Sequence, residues 1–302
     1  MGSKGTDKPR VVVILGPTAS GKSDLAINLA EEFGGEVVSA DSRQVYKGMD
    51  LGTGKVTPEE KKRVPHHLLD VADPKETFTA GQFKRLGEKS LRDILERGKI
   101  PIVCGGTAFY IKILIGDMEL PKVPPDWSIR KKLEKRSNEE LYQELYKKDP
   151  ERARNIDKHN KRRIIRALEI IEKTGKPVPK NQKGSSPYNV LFLGIDVERE
   201  KLHEKIERRL KERVDQGMIK EVQELKDSGV SWERLEEFGL EYRWVARYLQ
   251  GKVSYEEMME SLLSDIKKFS KRQRLWWKND ERINWIKTQE EARELISDFL
   301  RE

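Results

Sequence analysis

The chain is 302 residues long, 37% charged and 36% hydrophobic, with a net charge of +8 and a single cysteine. That length allows one or two domains; the lone Cys104 excludes an intrachain disulfide and a cysteine zinc site, and no apolar run reaches the roughly 20 residues of a membrane span. We expect no membrane partner, no secretory signal in the polar first ten residues, and a cytoplasmic protein.

Residues 11–15, all Val, Ile or Leu, read as a strand. They run into Gly16-Pro17-Thr18-Ala19-Ser20-Gly21-Lys22-Ser23, a complete G-x-x-x-x-G-K-[ST] phosphate loop, and a helical pattern follows over 24–33. This context makes the motif an anion site, because loop N–H groups and a helix N-terminus point at one spot. Lys22 can reach an outer phosphate, and Ser23 can ligate Mg²⁺. Residues 36–40 read as a second strand that ends at Asp41. A carboxylate there fits three roles: metal ligand, turn cap or general base. The stretch 42–55 is polar, glycine-rich and too long for a simple turn, as functional loops are. His66 and His67 point away from a metal site, because neighbours in an extended segment face opposite ways and nothing completes a ligand set.

Thr79-x-x-Gln82 is a capping box that opens a helix to about residue 97. Residues 100–104 form the next strand, with Cys104 a buried structural thiol, and Gly105-Gly106-Thr107 closes it. Thr107 offers its hydroxyl to the site, to the N-terminus of the next helix, or to both. Strands alternating with helices imply a parallel sheet, whose ligands bind beyond the C-terminal strand ends. That rule gathers 16–23, 41–42 and 105–107 on one edge.

Pro121, Pro124 and Pro125 break this pattern. Helices are expected over 130–136, 138–148 and 160–173, and a strand over 190–195 returns to the sheet. Between 120 and 190 there are 19 Lys and Arg against 10 Asp and Glu, while the rest of the chain is near neutral. A localised excess points to a polyanionic partner, although a solvated helical surface gives the same count. Arg162, Arg163 and Arg166 share one helical face there. Helices over 199–217, 219–228 and 256–277 follow. The last carries Lys267-Lys268-Phe269-Ser270-Lys271-Arg272-Gln273-Arg274-Leu275-Trp276-Trp277-Lys278, where cations suit phosphates and aromatics suit unpaired bases. The same run also suits an amphipathic helix packing Phe269, Leu275 and Trp276 on the core.

Together these motifs resemble the tRNA dimethylallyltransferase family over nearly the whole chain. The phosphate loop has the family's form. Asp41-Ser42-x-Gln44-x-Tyr46-Lys47-Gly48-x-Asp50-Leu51-Gly52-Thr53-Gly54-Lys55, Pro65-His66-His67-Leu68-Leu69-Asp70, Gly105-Gly106-Thr107-x-x-Tyr110 and Arg163-x-x-Arg166-Ala167-Leu168-Glu169 match further blocks. The C-terminal third departs: a Gly-Tyr-Arg-like element appears as Glu241-Tyr242-Arg243, Phe238 stands where an arginine is common, and only the K-R-Q core and Trp276 remain of a longer motif.

The resemblance implies a P-loop NTPase-like α/β fold, a parallel sheet flanked by helices with an inserted all-helical domain. Residues 1–118 and 190–302 would form the catalytic core, and 119–189 the basic insertion. It implies dimethylallyl pyrophosphate and a tRNA anticodon arm as partners, Mg²⁺ as cofactor with Ser23 as its ligand, and a monomer. Gly16, Thr18, Ala19, Ser20, Gly21, Lys22 and Ser23 would hold the pyrophosphate, Asp41 would act as base and Thr107 would bond the bridging oxygen. Asp41, Ser42, Arg43 and Gln44 would hold the adenine. Arg130, Arg162, Arg163, Arg166, Tyr242, Arg243, Lys271, Arg272, Gln273, Trp276 and Lys278 would grip the RNA. A small-molecule P-loop kinase shares the loop but leaves the basic insertion unexplained. An isopentenyltransferase acting on free adenine nucleotides would not need the localised charge, and a non-catalytic RNA-binding protein would not need intact Lys22, Ser23, Asp41 and Thr107.

Overall fold

The structure is a computed structural model that describes residues 8–179 and 184–301. These residues divide into two compact units. One holds the described residues up to Asp117 together with those from Ser185 onward; the other is Met118–Gly184.

The first unit opens with β1 (Arg10–Leu15), α1 (Lys22–Phe33), β2 (Glu36–Ser39), α2 (Pro58–Arg63), β3 (His66–His67), α3 (Ala80–Glu96), β4 (Pro101–Gly105) and α4 (Ala108–Leu114). The second unit supplies α5 (Trp127–Glu134), α6 (Asn138–Lys148), α7 (Pro150–Asn155) and α8 (Lys161–Thr174). The first unit resumes with β5 (Asn189–Ile195), α9 (Arg199–Asp215), α10 (Met218–Asp227), α11 (Trp232–Phe238), α12 (Leu240–Leu249), α13 (Tyr255–Trp277), β6 (Ile283–Ile286) and α14 (Gln289–Arg301).

All six strands pair in parallel in the order β3-β2-β4-β1-β5-β6. β1 is central and carries only buried Val, Ile and Leu after Arg10, as a strand covered on both faces must. Val12 aligns with Ile102 on one side and with Leu191 on the other. One face of the sheet packs Val12, Ile14, Val37 and Ile102 against Ala26, Ile27 and Leu29 of α1 and Ile296 and Phe299 of α14. On α3, Phe83, Leu91 and Ile94 are fully buried, and the expected capping box of Thr79 with Gln82 is present.

A separate helical core joins α9, α10, α12 and α13 through Leu202, Ile206, Leu210, Val222, Tyr242 and Leu262. Val45 and Met49, from the loop after β2, are buried in it. Anchoring of this kind fixes a long loop that has no regular structure of its own. In the second unit, Leu141, Leu145, Ile164, Ile165 and Leu168 form an independent core.

The expected helices and strands form, and several short elements join them: β3, α2, α7, α11 and α12, with β6 and α14 at the end. The inner face of α13 differs from the expectation. Ile266, Ser270, Gln273 and Trp277 are buried, spaced as one helical face, while Leu275 and Trp276 are 56% and 44% exposed.

Candidate active site

The carboxyl ends of β1, β2 and β4 converge at the point where strand order reverses. After β1 the chain forms the phosphate loop. Ala19 at φ 62° and Gly21 at φ 92° take left-handed backbone, which turns successive N–H groups toward one side. α1 then begins at Lys22, adding its N-terminal dipole. Lys22 Nζ donates to Pro17 O at 3.3 Å. Burial pushes its pKa down, helped by Arg209 and Arg213 and opposed by Cys104 and Asp41.

The ends of β2 and β4 are zipped together. Ala40 N donates to Cys104 O at 2.8 Å, and Thr107 N donates to Ala40 O at 3.1 Å. A Cβ on Gly105 would lie 2.3 Å from Ala40 O, so this approach requires glycine. The zip brings Thr107 to the turn that carries Asp41. Ser42 N donates to Thr107 Oγ1 at 3.1 Å, and that hydroxyl donates to Ser42 Oγ at 3.4 Å. Thr107 stands at the N-cap position of α4, but its side chain does not cap the helix. Asp41 Oδ1 accepts from Arg43 N at 2.9 Å and Gln44 N at 3.3 Å. Its Oδ2 accepts no hydrogen bond among the described residues.

The phosphate loop, Asp41 and Gly105 line one cleft of about 610 Å³, counted to its open mouth, and Ser42 and Thr107 bond each other beside it. Its walls include Thr18, Lys22, Ser23, Asp41, Arg43, Gln44, Gly105 and Gln273. Two cations that sequence reasoning missed join them, Arg209 and Arg213 of α9. Their signal was faint, because α9 reads as a charged surface helix. They follow Ile206 and Leu210 of its apolar stripe by three residues and so sit on the border of its buried face.

The loop from Asp41 to Lys55 is held from outside the cleft. Glu221 accepts from Asp50 N, Leu51 N and Gly52 N at 2.9, 2.6 and 3.0 Å. The buried Lys55 ammonium donates to Tyr46 O at 2.9 Å, Asp50 at 2.6 Å and Asp70 at 2.5 Å. Three of the resembling blocks therefore meet in one scaffold.

Several of the residues expected to contact RNA are engaged within the protein. Tyr242 is fully buried, and its hydroxyl donates to Glu221 at 2.8 Å, so it supports the loop. Burial, then Glu221, pushes its pKa well up. Gln273 is a strut: its amide donates to Gly106 O at 3.0 Å and accepts from Thr18 N at 2.8 Å. Gln44 likewise spends its amide internally, accepting from Ser39 Oγ and donating to Gly54 O. Arg43 donates to Glu241 at 2.9 Å and stacks over Phe269. Arg243 bonds Glu236 O at 3.2 Å.

In the second unit, Arg130 and Arg166 do not share an open face with Arg162 and Arg163. Both clamp the fully buried Glu169, at 2.9 Å and 2.5 Å, and Asp126 N donates to it as well. Arg162 and Arg163 are exposed, as are Lys271, Arg272 and Lys278 of the first unit. His67 bonds Glu36 at 2.7 Å and His66 bonds Val64 O at 2.8 Å. Among the described residues no group of three His, Cys, Asp or Glu could hold a metal alone. Burial raises the Cys104 pKa to about 12, consistent with a structural thiol.

A sequence profile described as IPP transferase matches residues 44–280. It begins after the phosphate loop. A tRNA dimethylallyltransferase of Anoxybacillus flavithermus is 40% identical over 281 residues, covering 92% of this chain and 90% of that protein. A tRNA dimethylallyltransferase 1 of Geotalea daltonii is 43% identical over 280 residues, covering 91% and 90%. The crystal structure of a full-length tRNA isopentenylpyrophosphate transferase from Bacillus halodurans matches with a TM-score of 0.72 and 36% identity, covering 97% of this chain and 96% of that one. A eukaryotic dimethylallyltransferase crystallised acting on tRNA matches with a TM-score of 0.82 and 26% identity, covering 97% and 80%.

Proposed function

The chain belongs to the IPP transferase family, and we propose that it transfers a dimethylallyl group from dimethylallyl pyrophosphate to tRNA. The acceptor is N6 of the adenine 3′ to the anticodon, and pyrophosphate is released. The observation that carries this reading is the joining of β2 and β4 through Gly105 and Ala40. That contact brings Thr107 to the turn that carries Asp41, and Asp41 shares a cleft wall with Lys22 and Ser23 of the phosphate loop.

The C–O bond of the donor breaks, and a C–N bond to adenine forms. Negative charge grows on the departing pyrophosphate, where Lys22 and the loop N–H groups are already oriented to meet it. Thr107 bonds the bridging oxygen. The adenine amine loses a proton as it is alkylated, and Asp41 accepts it, with Oδ1 pinned by two backbone donors and Oδ2 directed to the reaction. The adenine leaves its stack to reach this depth. Ser42 lies beside it, while Arg43 and Gln44 shape the wall.

The cleft also fits Mg²⁺, because Ser23 offers a hard hydroxyl oxygen on its wall beside Lys22, and water and phosphate oxygens would supply the ion's other ligands. When bound, it would neutralise charge on the pyrophosphate. Exposed Arg162 and Arg163, with Lys271, Arg272, Trp276 and Lys278, supply RNA contacts, and exposed Trp127 adds a stacking surface. The residues 119–189 serve as the RNA-facing insertion on the catalytic core. Among the described residues no helix is long and apolar enough to cross a membrane. A tRNA substrate puts the reaction in the cytoplasm, and we take the acting species to be a monomer.

Incubation with dimethylallyl pyrophosphate, Mg²⁺ and an anticodon stem-loop should give a prenylated adenine detectable by mass. Unmodified RNA together with phosphate transfer from ATP to a metabolite would overturn the reading.

A further inference from the structure

A carboxylate stands inside the anion site. Glu241 is 4% exposed and lines the cleft with Lys22, Ser23, Arg209 and Arg213. It occupies the position where the resembling Gly-Tyr-Arg element carries glycine. Its Oε2 accepts from Arg43 Nη1 at 2.9 Å, and its Oε1 lies 3.6 Å from Arg213 Nη1.

Two backbone features hold this group in place. Leu240, immediately before Glu241 and on the cleft wall, has φ 43°, a left-handed conformation that a residue with a branched side chain keeps only where its surroundings enforce it. Gly54, at φ 61°, lets Arg213 in: a Cβ there would lie 1.8 Å from Arg213 Nη2 and 3.3 Å from Arg209 Nη2. Burial first, and then Arg209, lowers the Arg213 pKa, while Glu241 opposes both.

Four cations and a ring of N–H groups facing one multiply charged anion would bind it tightly before and after reaction alike. Uniform binding of that kind slows product release without lowering the barrier. We propose that Glu241 is an internal counter-anion of the pyrophosphate site, a positioning residue that engages Arg43 and Arg213 and so weakens the hold on released pyrophosphate. By fixing the Arg43 side chain it also steadies the turn in which Arg43 N bonds Asp41. The inference rests on the reading of the cleft as a pyrophosphate site.

The test is calorimetric binding of inorganic pyrophosphate with Mg²⁺, run beside stem-loop prenylation. Glu241→Gln keeps the shape and removes the charge. It should bind pyrophosphate on the order of tenfold tighter, the effect of losing one partly screened charge at a few ångströms. Its kcat should fall while KM for the prenyl donor does not rise. Glu241→Asp should stay near the parent, and in an Arg213→Gln background the gain from Glu241→Gln should shrink. A merely structural role predicts the opposite sign, because a loosened site binds the anion more weakly. Unchanged or weaker pyrophosphate binding by Glu241→Gln would overturn the inference. If that variant does not fold, Glu241→Gly is held to the same outcome. Failure of the parent protein to bind pyrophosphate would instead overturn the reading of the cleft itself.

Discussion

At the scale of single residues, the site separates groups that touch substrate from groups that place them. Asp41 does both through different oxygens: Oδ1 ties the turn, and Oδ2 is available to accept a proton. Asp41→Asn keeps a carbonyl oxygen for Arg43 N and Gln44 N while removing the base. Its kcat should fall by about 10²–10⁴-fold, with stem-loop affinity nearly intact in a direct titration. Collapse of RNA binding instead would make Asp41 a scaffold. Tyr242 gives the contrasting case. Its hydroxyl lies against Glu221, away from solvent. Tyr242→Phe should therefore cost about 1 kcal/mol in denaturant unfolding and leave the stem-loop dissociation constant unchanged. A loss of RNA affinity without a loss of stability would restore the contact that burial argues against.

At the scale of elements, the legible parts were those in which one physical signal dominates. The strands β1, β2, β4 and β5 are apolar runs, and Thr79 with Gln82 announces α3. β3 and β6 are short edge strands whose residues alternate little, and pairing alone defines them. The buried face of α13 misleads for another reason. Its Ser270 and Gln273 point inward, Gln273 to brace the phosphate loop, so a reading by hydrophobicity puts Leu275 and Trp276 inside instead. In the second unit, arginines that read as surface charge turned out to clamp a carboxylate. Burial opposes ionisation of Glu169, but the bonds from Arg130, Asp126 N and Arg166 prevail and hold its pKa below the ordinary value. A depressed carboxylate gives stability that is present above its unfolded pKa, about 4.3, and is lost as pH falls through the folded value. Glu169→Gln should thus cost about 3 kcal/mol at neutral pH, the low end for a broken buried pair because both guanidiniums keep some solvent. The loss relative to the parent should shrink as acid is added below pH about 4. A pH-independent difference in chemical unfolding would remove the charge from that account.

At the scale of the whole molecule, the net charge of +8 is not spread evenly. In the first unit many of the cations are paired locally, as Arg97 and Lys99 are with Glu36 and Arg282 with Asp117 and Asp280. The excess falls between residues 120 and 190, where 19 basic residues face 10 acidic ones. The structure divides those basic residues further. Arg130 and Arg166 share the single negative charge of Glu169 and are held against it, whereas Arg163 is exposed. An arginine that contacts an RNA phosphate displaces counterions, so each such contact steepens the dependence of affinity on salt. Arg163→Ala should weaken stem-loop binding and reduce the slope of log K against log salt by about 1. Arg166→Ala should instead lower the unfolding midpoint and leave that slope nearly as it was, because its guanidinium is held on Glu169 and Val123 O and not offered to a phosphate. An Arg163→Ala slope equal to the parent's would take that residue out of the phosphate contacts. A reduced slope for Arg166→Ala would show that RNA draws its guanidinium away from the carboxylate, which two short bonds from Arg166 to Glu169 and Val123 O argue against.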